Sequence, residues 1–250
     1  HHPSRAMAAV SPRRAVGPGR GACNTGREPD RDPLDQFVEA VFVGRPEHAP
    51  SAVAPRPVLP DGHVDVIWEP GRSPWVAGPD TGPAPSSVID PSTMLRVQFR
   101  RARAAAELGD DLSELCDRRV PLAQLWASPL WARLADVEDA ATARTLLEDA
   151  LRRRIPRQWS PDTTVEAVVH GRTTAEIGER QLRRRFRRAI GYGPKTYQRV
   201  IRFQRFIRLA EASPAPLARL AIDAGYADQA HLTRETRRLS GLTPSSFIAA

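Results

Sequence analysis

Cysteine is nearly absent from this 250-residue sequence: Cys23 and Cys116 are the only two. They form no CxxC pair and no zinc-type spacing, which excludes a disulfide framework and a cysteine metal site and fits two free thiols in a reducing cytosol. No apolar run approaches the roughly 20 residues of a spanning helix, so no membrane partner is expected. The N-terminus has charge, Pro and Gly but no apolar segment of the secretory type, and cytoplasmic location is the expectation. There is no Gly-rich phosphate loop, no GxSxG and no Cys/His nucleophile pair, so no catalytic group and no cofactor is assigned. His48, His63 and Asp65 lie on different segments and are too few for a metal site. Asp61-Gly62 reads as a turn. Lysine is almost missing as well, with Lys195 standing alone among 37 cationic residues.

What the sequence does have is enough apolar residues for cores, 41% of the chain, and a net charge of +8 that is unevenly placed. Residues 151–250 carry 20 Lys and Arg against 8 Asp and Glu, whereas residues 1–150 carry 17 against 21. A polycationic half beside a slightly acidic half implies a polyanionic partner for the former. The basic helices have core faces of their own, which makes lipid the weaker candidate.

Residues 1–33 are rich in Pro, Gly, Arg and Ala without periodicity and read as a disordered tail. Residues 34–135 read as a β-rich domain. Phe37–Val43, His63–Trp68, Trp75–Ala77 and Met94–Phe99 are short apolar or alternating runs between Pro, Gly, Asp and Ser turns, the pattern of a small sheet or barrel. Short helices are expected at 103–108, at 111–115 behind Asp111, and at 122–126 after Pro121. Trp68, Trp75, Trp126 and Trp131 read as core residues, with an effector pocket as the alternative. Residues 136–158 read as a helical linker, with Ala143, Leu146, Leu147, Ala150 and Leu151 at helical spacing until Pro156.

Residues 159–250 read as all-helical. Leu182, Phe186 and Ile190 make a buried stripe, and Arg180, Arg183, Arg184 and Arg187 share another face before Gly191 ends the helix. Pro194 opens a long helix to about Ala212, with Tyr197, Val200, Ile201, Ile207 and Ala210 as its apolar side. Leu217–Ala224 is a short helix and Gly225–Ala227 a turn. Asp228 caps a helix to about Ser240 whose inner stripe is Leu232, Thr236 and Leu239. The whole chain is thus of the α+β class.

Part of this half repeats. Leu182, Gly191 and Pro194 recur as Leu232, Gly241 and Pro244 at an offset of fifty. Arg184, Arg187 and Arg188 recur as Arg234, Arg237 and Arg238, and Phe247 answers Tyr197. Two copies of a basic helical unit suggest a reader of two neighbouring segments of a DNA groove. Arginine suits guanine through a bidentate fork and Gln229 suits adenine. Lys195, at a helix start, suits phosphate. Ala230, Thr233, Arg234 and Arg237 face outward with Gln229. His231 is open between base reader, phosphate contact and packing residue.

These residues resemble an AraC/XylS-type transcription regulator. The second unit carries the signature most fully, from Leu217 through Gly225-Tyr226-Ala227-Asp228 to Arg234, then Gly241-Leu242-Thr243-Pro244. The first adds Arg180–Phe186 and Gly191-Tyr192-Gly193-Pro194. The resemblance implies two helix-turn-helix units joined by one long helix, each entering the major groove of double-stranded DNA from the same side, with RNA polymerase as a partner if the protein activates. The front half resembles a domain of unassigned function found before such heads, through Val58–Gly62 with Asp65, Ala77–Asp80, Val97–Arg100 and Arg119–Leu122. That implies a small-molecule sensor or a homodimerisation role.

The first unit departs from the pattern. The offset places Ala167, His170, Gly171 and Thr174 where the second unit has its scaffold face; alternatively, Val165–His170 is an earlier helix and the scaffold helix is cut to one turn. Gly178 replaces a Ser-like cap, Arg185 an apolar residue, and Thr236 stands where the first unit has Phe186.

Overall fold

In the computed structural model the β-branched and aromatic runs among the described residues form five strands: β1 (Val38–Val43), β2 (Asp65–Trp68), β3 (Trp75–Ala77), β4 (Leu95–Phe99) and β5 (Arg119–Pro121). The structure describes residues 32–44, 57–88, 90, 92–109, 111–155, 160–172, 177–212 and 214–249. Most of the tail, Cys23, His48 and Thr174 lie outside the described residues. Every strand pair is antiparallel, in the order β1-β4-β2-β3-β5. Val66 at the centre stands opposite Val97 on one side and Val76 on the other, the cross-strand packing that β-branched residues favour. Among the described residues the outer strands β1 and β5 do not pair with each other, so the described strands form one open sheet.

Among the described residues four α-helices accompany the sheet: α1 (Ala105–Leu108), α2 (Leu122–Leu125), α3 (Leu130–Ala135) and α4 (Ala140–Arg154). Asp139 caps α4 by accepting from the Thr142 amide at 2.8 Å, which satisfies one orphan amide of the first turn. Ala143, Leu147, Ala150 and Leu151 on α4 share one core with Val66, Trp68, Val97, Phe99 and Trp131. The segment read as a linker therefore completes the core of the sheet. Trp68 Nε1 donates to the Leu134 carbonyl at 2.8 Å and Trp131 Nε1 to the Trp126 carbonyl at 2.6 Å, so both buried indoles are satisfied.

A second core is built from α5 (Thr163–Val169), α6 (Glu179–Ile190), α7 (Pro194–Ala212), α8 (Leu217–Ala224), α9 (Gln229–Ser240) and α10 (Pro244–Ala249). Tyr197, Val200, Phe203 and Phe206 are the buried residues of α7. Phe203 and Phe206 stack at 6.4 Å, and Phe247 of α10 packs on both. Each fully buried phenyl contributes about 2–3 kcal/mol of transfer free energy.

The two cores meet along α6 and α7. Gln204 Nε2 donates to the Pro60 carbonyl at 2.8 Å, and Leu59, Ala102 and Cys116 pack on the helical core. Arg103 pairs with Glu166 at 3.0 Å. Among the described residues no helix is long and apolar enough to cross a membrane.

Candidate nucleic-acid interface

The second unit has the regular geometry. α8 ends at Gly225 in the left-handed region, four residues lead to α9, and Asp228 accepts from the His231 amide at 2.6 Å. Leu220, Ala221 and Ala224 on α8 and Leu232, Thr236 and Leu239 on α9 bury the facing stripes. Burial of this face turns the other outward: Gln229, Ala230, Arg234 and Arg237 are exposed and Thr233 partly so. The Thr233 hydroxyl donates to the Gln229 carbonyl at 2.9 Å, which leaves its methyl and a lone pair for a partner. His231 is half-buried, edge-on to Tyr226 at 5.2 Å, and its Nδ1 accepts from the Ala227 amide at 3.4 Å. That contact puts the proton of the neutral ring on Nε2, a donor suited to phosphate.

The first unit is built differently. α5 ends at Val169 and α6 begins at Glu179, so nine residues separate them where the second unit has four. Val165 and Ala167 sit in α5, while His170 and Gly171 form the turn after it, and residues 173–176 lie outside the described residues. The placement of these residues as a scaffold face is corrected in favour of the earlier-helix alternative, because Gly171 has φ +71° and ends the turn. Gly178 gives α6 no side-chain cap. Arg185 has a structural use instead, donating to Asp162 Oδ1 at 3.3 Å and Thr164 Oγ1 at 3.0 Å across α5.

Arg180, Arg183, Arg184 and Arg187 are all exposed on α6, and Lys195 is exposed at the start of α7. Arg180 and Arg184 have no ion pair among the described residues. Glu179, which the sequence reading passed over, draws Arg183 to 3.1 Å and Lys195 to 3.8 Å. Its i,i+4 position before Arg183 was the available signal. Arg187 lies toward the front unit, where it adds to the lowering of the Asp111 carboxyl by Ser113. Gly191, at φ +102°, lets the backbone after α6 approach Pro79 and Leu112.

Elsewhere, His63 stands between Glu39 at 3.2 Å and Asp61 at 3.3 Å. Burial alone would lower its pKa, but these two acceptors outweigh burial and raise it. Among the described residues no group of three or more His, Cys, Asp and Glu is placed to hold a metal ion. Burial, then the Asp117 charge, pushes the Cys116 thiol up to about 12, which makes it inert as a nucleophile.

Residues 173–250 match the family model of a helix-turn-helix domain. That segment is an AraC-type helix-turn-helix domain. The chain is accordingly a DNA-binding transcription regulator, a class that is not enzymatic. Residues 28–121 match a domain of unknown function, DUF6597. None of the curated proteins matches the chain. Among solved structures it is similar to an apo ToxT variant from Vibrio cholerae strain SCE256, with a TM-score of 0.38 and 12% identity over 86% of this chain and 97% of that one. Unsaturated fatty acid-bound wild-type ToxT from the same strain gives a TM-score of 0.36 and 11% identity over 78% and 89% of the two chains. ToxT from Vibrio cholerae O395 gives 0.38 and 10% over 86% and 98%.

Proposed function

We propose that this AraC-type domain reads duplex DNA sequence-specifically with α6 and α9 in adjacent major-groove segments. The observation that carries the proposal is that α6 and α9, fifty residues apart in register, both expose an arginine face and are joined through the single 19-residue helix α7. A helix of that length spans about 28 Å at 1.5 Å per residue. The two readers of such a head lie about one duplex turn apart, ~34 Å, on one side of the duplex.

The units divide the work. α9 has its cap, its scaffold helix and a varied face of Gln229, Thr233, Arg234 and Arg237, so it supplies most of the base specificity. α6 offers Arg180, Arg183, Arg184 and Arg187 on a looser mount and supplies mainly electrostatic affinity. Lys195 and His231 meet phosphate, and Ala230 lets the backbone of α9 approach the groove. Residues 159–250 are the DNA-binding domain. Residues 34–135 act as a sensor of a small effector or as a dimerising module, in a cytoplasmic protein, with α4 carrying the connection. RNA polymerase is a partner if transcription rises.

Binding of variants to a selected duplex tests this. Arg184→Ala and Arg234→Ala should each lose about 1–3 kcal/mol and relax preference at one base pair. Lys195→Ala should weaken all sequences alike. Uniform loss from either arginine variant would make that arginine a phosphate contact.

A further inference from the structure

Between α3 and α4, beside Trp126 at the end of α2, lies a cavity of about 460 Å³, within the ~300–1,000 Å³ range of small-molecule sites. Its wall divides by chemistry. Trp126, Leu130 and Leu146 form an apolar side, while Arg133, Arg153 and Arg154 bring three guanidinium groups and, among the described residues, no carboxylate lines it. Like charges around one small space repel, and an anion among them relieves that repulsion.

The rest of α4 treats its arginines differently. Arg144 pairs with Glu148 at 2.7 Å, and Arg152 pairs with Asp149 at 2.7 Å and Glu148 at 3.0 Å. Arg133 and Arg153 have no ion pair among the described residues. Arg154 is fixed: its Nε donates to the Glu107 carbonyl at 2.5 Å and its guanidinium lies 4.9 Å over the Trp126 ring. The Glu107 carboxyl near it is buried in the core with neither oxygen hydrogen-bonded, and does not face the cavity as a lining group. Arg133 and Arg153 at the cavity thus have no acidic partner among the described residues, while Arg144 and Arg152 on α4 are paired.

We infer that this cavity binds a small organic anion, its apolar body against Trp126, Leu130 and Leu146 and its acid group on Arg133 and Arg153. As the effector site of a regulator, it rests on the sensor reading of the front domain. The route to DNA is short. Arg154 holds the carbonyl of Glu107 in α1, and α1 packs against α6. A ligand seated against Trp126 and Arg154, both of which line the cavity, acts on that contact and through α1 on α6.

The test uses the full chain and two fluorescent probes of similar body. One is 8-anilinonaphthalene-1-sulfonate, an organic anion; the other is N-phenyl-1-naphthylamine, the same ring system without the sulfonate. Arg133→Gln and Arg153→Gln change exposed positions, and unchanged far-UV circular dichroism and thermal unfolding verify that the double variant folds. The sulfonate should bind the wild type at one saturable site and lose affinity by about 10-fold for each arginine removed, the range of a hydrogen bond to a charged group. The neutral probe should bind both proteins equally and more weakly. Absence of sulfonate binding, equal sulfonate affinity in the double variant, or a neutral probe as tight as the sulfonate would each overturn the site. Binding of a selected duplex is then measured with and without the sulfonate. A shift in the wild type that vanishes in the double variant supports an effector site; sulfonate binding with no shift keeps the anion site and overturns the sensor reading.

Discussion

Gly191 and Gly241 occupy the same place in the two halves of the repeat, and substituting each by alanine separates the backbone cost from the packing between the units. Gly191 ends α6 and Gly241 ends α9, both in the left-handed region, with φ +102° and +77°. An L-residue there costs about 1–2 kcal/mol, offset in part by a less flexible unfolded chain. Gly241→Ala meets nothing within 4 Å, so it should lose about 1 kcal/mol. Gly191→Ala places a methyl 2.5 Å from Pro79 Cγ and 3.1 Å from the Leu112 carbonyl oxygen. A proline ring and a backbone carbonyl yield little, and overpacking of this kind adds about 1–3 kcal/mol. Gly191→Ala should therefore lose about 2–4 kcal/mol in urea unfolding. Pro79→Ala removes the nearer atom, and in that background the excess over Gly241→Ala should shrink but not vanish, because the carbonyl remains. Losses from Gly191→Ala and Gly241→Ala that agree within about 0.5 kcal/mol would refute the close packing of the front unit on α6.

Two further outcomes follow from buried polar groups. Burial raises the Glu107 carboxyl from 4.5 to about 7. The folded protein thus holds a proton that the unfolded chain has released, and the stability tied to this group is full below about pH 4.5 and is lost as pH rises through 7. Glu107→Gln stays neutral, so relative to wild type it should gain about 1–3 kcal/mol between pH 4.5 and pH 8, read from urea unfolding at each pH; parallel profiles would contradict this. Thr236 is fully buried with its hydroxyl unpartnered, so Thr236→Val should raise unfolding stability by about 1 kcal/mol. A loss would show that the hydroxyl has a partner.

Much of the helical half was legible because its signals are local. Asp228, Gly191, Pro194 and Gly225 act within one turn of chain, and the element limits they mark match those of α6 to α9. Phe203 and Phe206 were missed on α7 because that helix is enclosed by α8, α9 and α10 over more than one stripe, and a single 3.6-residue face does not describe it. β5 and α3 are short, and their order depends on partners distant in sequence: Val120 needs Val76 opposite it, and Leu134 needs the indole of Trp68. The outward face of α9 could be read from its inner stripe. The pull of Glu179 on Lys195 could not, since it depends on how α7 leaves Gly193. The association of α4 with the sheet core was likewise beyond periodicity, which says that a face is buried but not against what.

Selection of bound sequences from random duplex DNA by the full chain, followed by base-by-base substitution of the recovered site, tests the central claim most directly. The account predicts a site of about two turns, ~20 bp, with one half sharply defined beneath α9 and the other, beneath α6, tolerant of substitution. Equal losses in both halves, or the larger losses beneath α6, would contradict the division between the two units, and recovery of no motif would contradict sequence-specific reading itself.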